Sequence, residues 1–105
     1  MRLPGRVPRV SRLMALAIRF DQLVRDGVVA DQVELARLGR VSRARVTQIM
    51  NLLSLPPDIQ EAILFLDPIA KWRDRVTEWN LRSLVAVIDW QTQQKMWSSI
   101  VAAEN

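Results

Sequence analysis

Between Ser42 and Asn51 the chain reads Ser-Arg-Ala-Arg-Val-Thr-Gln-Ile-Met-Asn. Val46, Ile49 and Met50 recur at helical spacing and, with Leu53, define the inner face of a helix predicted from Arg43 to about Leu53 or Ser54. The opposite stripe carries Arg43, Ala44, Thr47, Gln48 and Asn51. These residue types suit the edges of base pairs. Arginine reaches phosphate or guanine, Gln48 and Asn51 pair bidentately with adenine, and Ala44 or the Thr47 methyl meets a thymine methyl. Ser42 is placed to cap the helix, whose first-turn N–H groups favour a phosphate. The chemistry on offer is recognition. Cysteine and histidine are both absent, which removes disulfides, thiol nucleophiles, the usual zinc sites and histidine bases. No nucleophile–base constellation can be assembled from what remains, so no catalytic residue, metal or cofactor is expected.

A second short helix must hold the first in place. Asp31 followed by Glu34 resembles a capping box, with aspartate in the Ser/Thr position, and opens a helix predicted over Gln32 to Leu38. Leu35, Ala36 and Leu38 are its expected inner face, and Ala36 is small enough for a close helix crossing. Gly39 is expected to close it in the left-handed conformation, with Val41 plugging the turn into the core. Two helices joined this tightly form a helix-turn-helix over roughly residues 31–53, the second helix lying in the major groove of duplex DNA. Gln32, Arg37, Arg40 and Arg45 are then expected to hold the DNA backbone.

The remaining chain supplies the scaffold. Residues 1–10 hold Pro4, Gly5 and Pro8 among Arg2, Arg6 and Arg9, a composition that favours an extended basic arm. With Arg12, this arm would either enter a minor groove or act as a basic tail giving salt-sensitive, non-specific affinity. A helix begins at Ser11, with Leu13, Leu16, Ala17, Phe20, Leu23 and Val24 at three- and four-residue steps, and Gly27 stops it. Pro56-Pro57 ends the recognition helix and restarts the chain in a helix over about Asp58 to Leu66, before Asp67-Pro68. Residues 69–76 read either as a short helix or as a structured loop. Thr77 caps a helix through Leu81, Leu84, Val85 and Ile88, and a last helix runs from about Trp90 through Met96, Trp97, Ile100 and Val101. No strand-like alternation appears. The expected fold is all-α, a compact five- to six-helix domain over residues 11–105 that contains the helix-turn-helix.

Charge is distributed to match. The net charge is +4 over 105 residues, yet residues 1–54 hold ten arginines against four acidic groups, a balance of +6, while residues 55–105 come to −2. The basic half is the half with the reading stripe. The longest apolar run, Ala62 to Leu66, is far too short to span a bilayer, and the N-terminus lacks a secretory pattern, so a cytoplasmic location is expected.

The run Val33-Glu34-Leu35-Ala36-Arg37-Leu38, then Val41-Ser42-Arg43, Val46 and Asn51-Leu52-Leu53-Ser54-Leu55-Pro56, resembles the central DNA-binding domain of ParB/KorB-type partition and repressor proteins. The resemblance reaches outward to the helices on either side, including Thr77 through Arg82-Ser83-Leu84, and covers about residues 11–105. It departs at the turn, where Arg40 stands in the position usually held by glycine. It implies duplex DNA binding without the family's nucleotide-binding and dimerisation domains. That pattern is similar to small stand-alone relatives of mobile elements, acting in regulation of transcription or as accessory factors.

Four tryptophans remain. Trp72 and Trp79 are seven apart, as are Trp90 and Trp97. They are either large core fillers or a patch for a partner, and the acidic C-terminal half favours protein over DNA as that partner. One reading head offers few base contacts, so a homodimer or a partner protein through this half is expected. The competing reading is a protein-interaction adaptor, for a recombinase or another partner, that keeps the helix-turn-helix scaffold with little DNA affinity.

Overall fold

Pro8 begins the first helix. Its fixed φ of −57° sets the entry, and its carbonyl accepts from the N–H groups of Ser11 and Arg12 at 3.1 and 3.2 Å. The computed structural model describes residues 5–68 and 76–103. They form α1 (Arg9–Arg25), α2 (Gln32–Gly39), α3 (Arg43–Met50), a 3-10 turn (Asn51–Ser54), α4 (Pro57–Leu64), α5 (Glu78–Val85) and α6 (Trp90–Ala103). The fold is all-α, with no strand among the described residues. The ambiguous stretch 69–75, including Trp72, lies outside them, as does Arg2.

Helix α1 is the spine. Val10, Met14 and Ala17, one stripe at i, i+4 and i+7, are fully buried. They pack with Ile49, Leu52, Leu55, Ile59, Ile63, Val76, Leu81 and Leu84 in the larger core cluster. Of the expected stripe only Leu16 is exposed; Leu13 and Ala17 pack in this cluster, and Val10 and Met14, which fall outside that expectation, lie on the same face and join them. Further along, Phe20, Leu23 and Val24 pack on a second cluster of Val29, Leu35, Ala36 and Val46. A single helix thus backs both α3 and α4. The buried Ser11 hydroxyl donates to the Ile63 carbonyl at 2.6 Å, tying the start of α1 to the end of α4.

Several boundaries fall elsewhere than periodicity suggests. Helix α3 ends at Met50, and Asn51 opens the 3-10 turn. Leu55 must be extended before Pro56 (ψ 152°), and the Gln60 amide donates to the Leu53 and Leu55 carbonyls at 3.0 and 2.8 Å, so the chain tightens before the break. Helix α4 stops at Leu64, two residues short of Leu66, leaving Phe65 exposed. Helix α5 stops at Val85, so Ile88, expected on its inner face, is 96% exposed. Asp89 then caps α6, accepting from the Thr92 N–H at 3.2 Å.

Candidate nucleic-acid interface

The α2–α3 pair is built from short-range interactions. Asp31 accepts from the Glu34 N–H at 3.0 Å, while Glu34 accepts from the N–H of Ala30, one residue before the expected capping-box partner. Ser42 caps α3 by accepting from the Arg45 N–H at 3.0 Å. Between the helices, Arg40 N–H donates to Arg37 O at 3.3 Å and Val41 N–H to Ala36 O at 3.1 Å. This is a Schellman closure, and its left-handed residue is Arg40 (φ 55°, ψ 42°), not Gly39, which remains helical. The same closure ends α1, where Gly27 takes the left-handed position at φ 72°.

Two further expectations about this pair are overturned. Val41 is 43% exposed and Leu38 58% exposed. The turn closes through backbone hydrogen bonds, so it needs no side-chain plug. An eight-residue helix buries one narrow ridge, here Leu35 and Ala36, and Leu38 lies on the far side from Ala36.

Helix α3 turns Val46 and Ile49 inward, and Ala44, Thr47, Gln48 and Asn51 are all exposed, with Ser42 and Arg43 at the N-terminal end. Neither Arg43 nor Arg40 forms a side-chain hydrogen bond or ion pair among the described residues. Thr47 Oγ1 donates to Gln32 Oε1 at 3.2 Å, joining the stripe to the start of α2. Arg37 is exposed beside Glu34, 3.9 Å away, a separation that binds it weakly.

Arg45 behaves differently from its neighbours. It leans off the stripe and is held by both carboxylate oxygens of Glu78, the first residue of α5: NH1 on Oε2, and NH2 on Oε1 at 3.0 Å. NH1 also donates to Gln48 Oε1 at 3.3 Å. The Arg45 hydrogen bonds, opposed by partial desolvation, hold the Glu78 carboxyl below its usual range, and the charges of Arg82 and Arg9 add to the effect. Arg45 is correspondingly shifted upward, chiefly by Glu78.

No family model matches this chain. Nor does any curated protein. The site is therefore described by its own geometry.

Glu78 and Arg82 belong to that geometry, although sequence reasoning placed neither in the site. Arg82, one turn after Glu78 on α5, lines with Gln48, Asn51, Leu52, Val85 and Ala86 a shallow groove of about 210 Å³ at the C-terminal end of α3. The Glu78–Arg82 spacing was a readable i, i+4 pair, but nothing local links Glu78 to Arg45, 33 residues earlier. Of the expected arm, Arg9 and Arg12 lie exposed on α1, so they point from a rigid helix; Arg6 is exposed before it. The described tryptophans divide. Trp97 is half-buried against the larger core, whereas Trp79 and Trp90 are 73% and 53% exposed. Trp79, Met96 and Ile100 line a groove of about 410 Å³ between α5 and α6. Among the described residues no helix is long and apolar enough to cross a membrane, and no group of three or more acidic side chains converges on a metal-sized site.

Proposed function

We propose that the chain is a sequence-specific duplex-DNA-binding protein of ParB/KorB-like character, with α2 and α3 as its helix-turn-helix and α3 in the major groove. The observation that carries the reading is the exposed stripe Ala44, Thr47, Gln48 and Asn51, set opposite buried Val46 and Ile49 and headed by Arg43, which has no side-chain partner among the described residues. Asn51 supplies a paired donor and acceptor for base edges, Gln48 supplies amide donors, and Ala44 leaves room for close approach. Arg40, Arg43 and the α3 N-terminus, with Gln32 and Ser42 nearby, supply phosphate contacts that fix the register. The role is regulatory or accessory, and the compartment cytoplasmic.

Each base contact is worth roughly 1–3 kcal/mol of discrimination, so one head alone discriminates little. A second head, or a partner protein, supplies the rest. Exposed Trp79 and Trp90 support a partner through the C-terminal half and favour the second reading, a protein-interaction adaptor. Fluorescence anisotropy of a labelled mixed-sequence duplex decides between the two. Binding should weaken steeply with salt and drop for Arg43→Ala combined with Gln48→Ala. Absence of binding at low salt, or indifference to the substitutions, would sink the DNA reading.

A further inference from the structure

We propose that Glu78 is a specificity-determining residue of the reading face: it holds Arg45 off the DNA backbone and, through Arg45, turns the Gln48 amide donors toward the bases. The inference rests on the DNA-binding reading above and assigns a role to a residue outside the two reading helices.

The geometry is a three-member relay. Glu78 grips Arg45 with both oxygens, the planar two-bond arrangement in which a guanidinium is most strongly directed. The same Arg45 NH1 donates to Gln48 Oε1 at 3.3 Å. A guanidinium has donors only, so it meets the oxygen end of the Gln48 amide and settles which end faces outward. The two Gln48 N–H donors have no partner among the described residues. A stripe presenting amide donors fits pairs that offer acceptors in the major groove, such as guanine N7 and O6, thymine O4 or adenine N7. It disfavours the cytosine amino group. The ligand implied is a duplex with an acceptor-bearing base at the Gln48 position.

Arg45 is also a third cation beside Arg40 and Arg43. Released, it would reach for phosphate, which raises affinity for every sequence equally and so dilutes discrimination. Glu78 neutralises it in place. The carboxylate is stable there because it sits in the first turn of α5, where the helix dipole favours negative charge, with Arg82 and Arg9 nearby.

The test uses the full chain and a labelled mixed-sequence duplex across a salt series, with selection from a randomised duplex library run in parallel. For Glu78→Gln, the slope of log affinity against log salt should steepen by about 0.9, one added phosphate contact. Low-salt affinity should rise, and the library should return a weaker consensus. A folded Glu78→Gln protein with an unchanged slope overturns the proposal, since a merely structural role lowers melting temperature without adding a phosphate contact. If that variant fails to fold, Arg45→Gln combined with Glu78→Gln removes both charges. It should keep the wild-type slope while losing base preference, whereas a slope shallower by about 0.9 would show Arg45 already on phosphate and overturn the assignment. Failure of the underlying reading looks different: the wild type itself then shows no low-salt binding.

Discussion

Arg40 occupies a backbone conformation that suits glycine, and replacing it should stabilise the protein while weakening the proposed contact with DNA. At φ 55° and ψ 42° its Cβ is crowded by its own backbone, a conformation that costs an L-residue roughly 1–2 kcal/mol. Glycine removes that strain but loses roughly 0.5–1 kcal/mol through the greater freedom of its unfolded chain. The exposed Arg40 side chain makes no described hydrogen bond or ion pair, so truncation forfeits no contact there. The net expectation for Arg40→Gly is a gain of about 0.5–1 kcal/mol, which for a domain near this size raises Tm by roughly 2–8 °C. The internal control is Gly27, in the same closure at φ 72°, where an added Cβ would meet nothing within 4 Å. Gly27→Ala therefore isolates the backbone cost and should lower stability by a similar amount. Thermal melts by circular dichroism measure both. On the proposed interface, Arg40→Gly should also flatten the DNA salt slope by about 0.9. A Tm for Arg40→Gly at or below wild type, alongside the expected loss in Gly27→Ala, would refute the argument that strain at the turn limits stability.

Three other expectations follow from the packing and the charges. Met14 is fully buried in the larger cluster, so Met14→Ala should cost about 2–5 kcal/mol in urea denaturation, and a loss below 1 kcal/mol would mean that the site collapses around the gap. Gln93 is buried and donates to the Leu84 and Val87 carbonyls at 2.9 and 2.6 Å, while its own Oε1 has no partner among the described residues; Gln93→Leu should still destabilise by about 1–3 kcal/mol, because the Val87 carbonyl loses its donor whereas Leu84 keeps the Val87 N–H. Glu78 is held below its usual range by Arg45, so its stabilising contribution is complete above the unfolded value of about 4.3 and is lost as pH falls through the lower folded value. The denaturation midpoints of wild type and Glu78→Gln should thus differ at neutral pH and converge in acid. A gap that persists at low pH would assign the effect to packing.

The all-α class, the order of the helices and most of their starts were legible along the chain because each is decided within a few residues. Ser42 reaches the Arg45 N–H three positions on, and Thr77 and Asn80 cap each other over the same distance. The exposed stripe of α3 was legible for the same reason, since Val46 and Ile49 fix the helix's rotation from within one element. Which apolar residues are covered was not. Leu38, Val41 and Ile88 are as hydrophobic as the residues that are buried, but their exposure depends on where a neighbouring helix lies and where each helix stops. The left-handed residue of the turn shifted from Gly39 to Arg40 because the backbone closure back to Ala36 and Arg37 sets it, whatever side chain stands there. The pairing of Arg45 with Glu78 required α5 to fold back beside α3. An ion pair has no sequence period, so only the tertiary structure could turn Arg45 into a strut while Arg43, two residues before it, has no partner among the described residues.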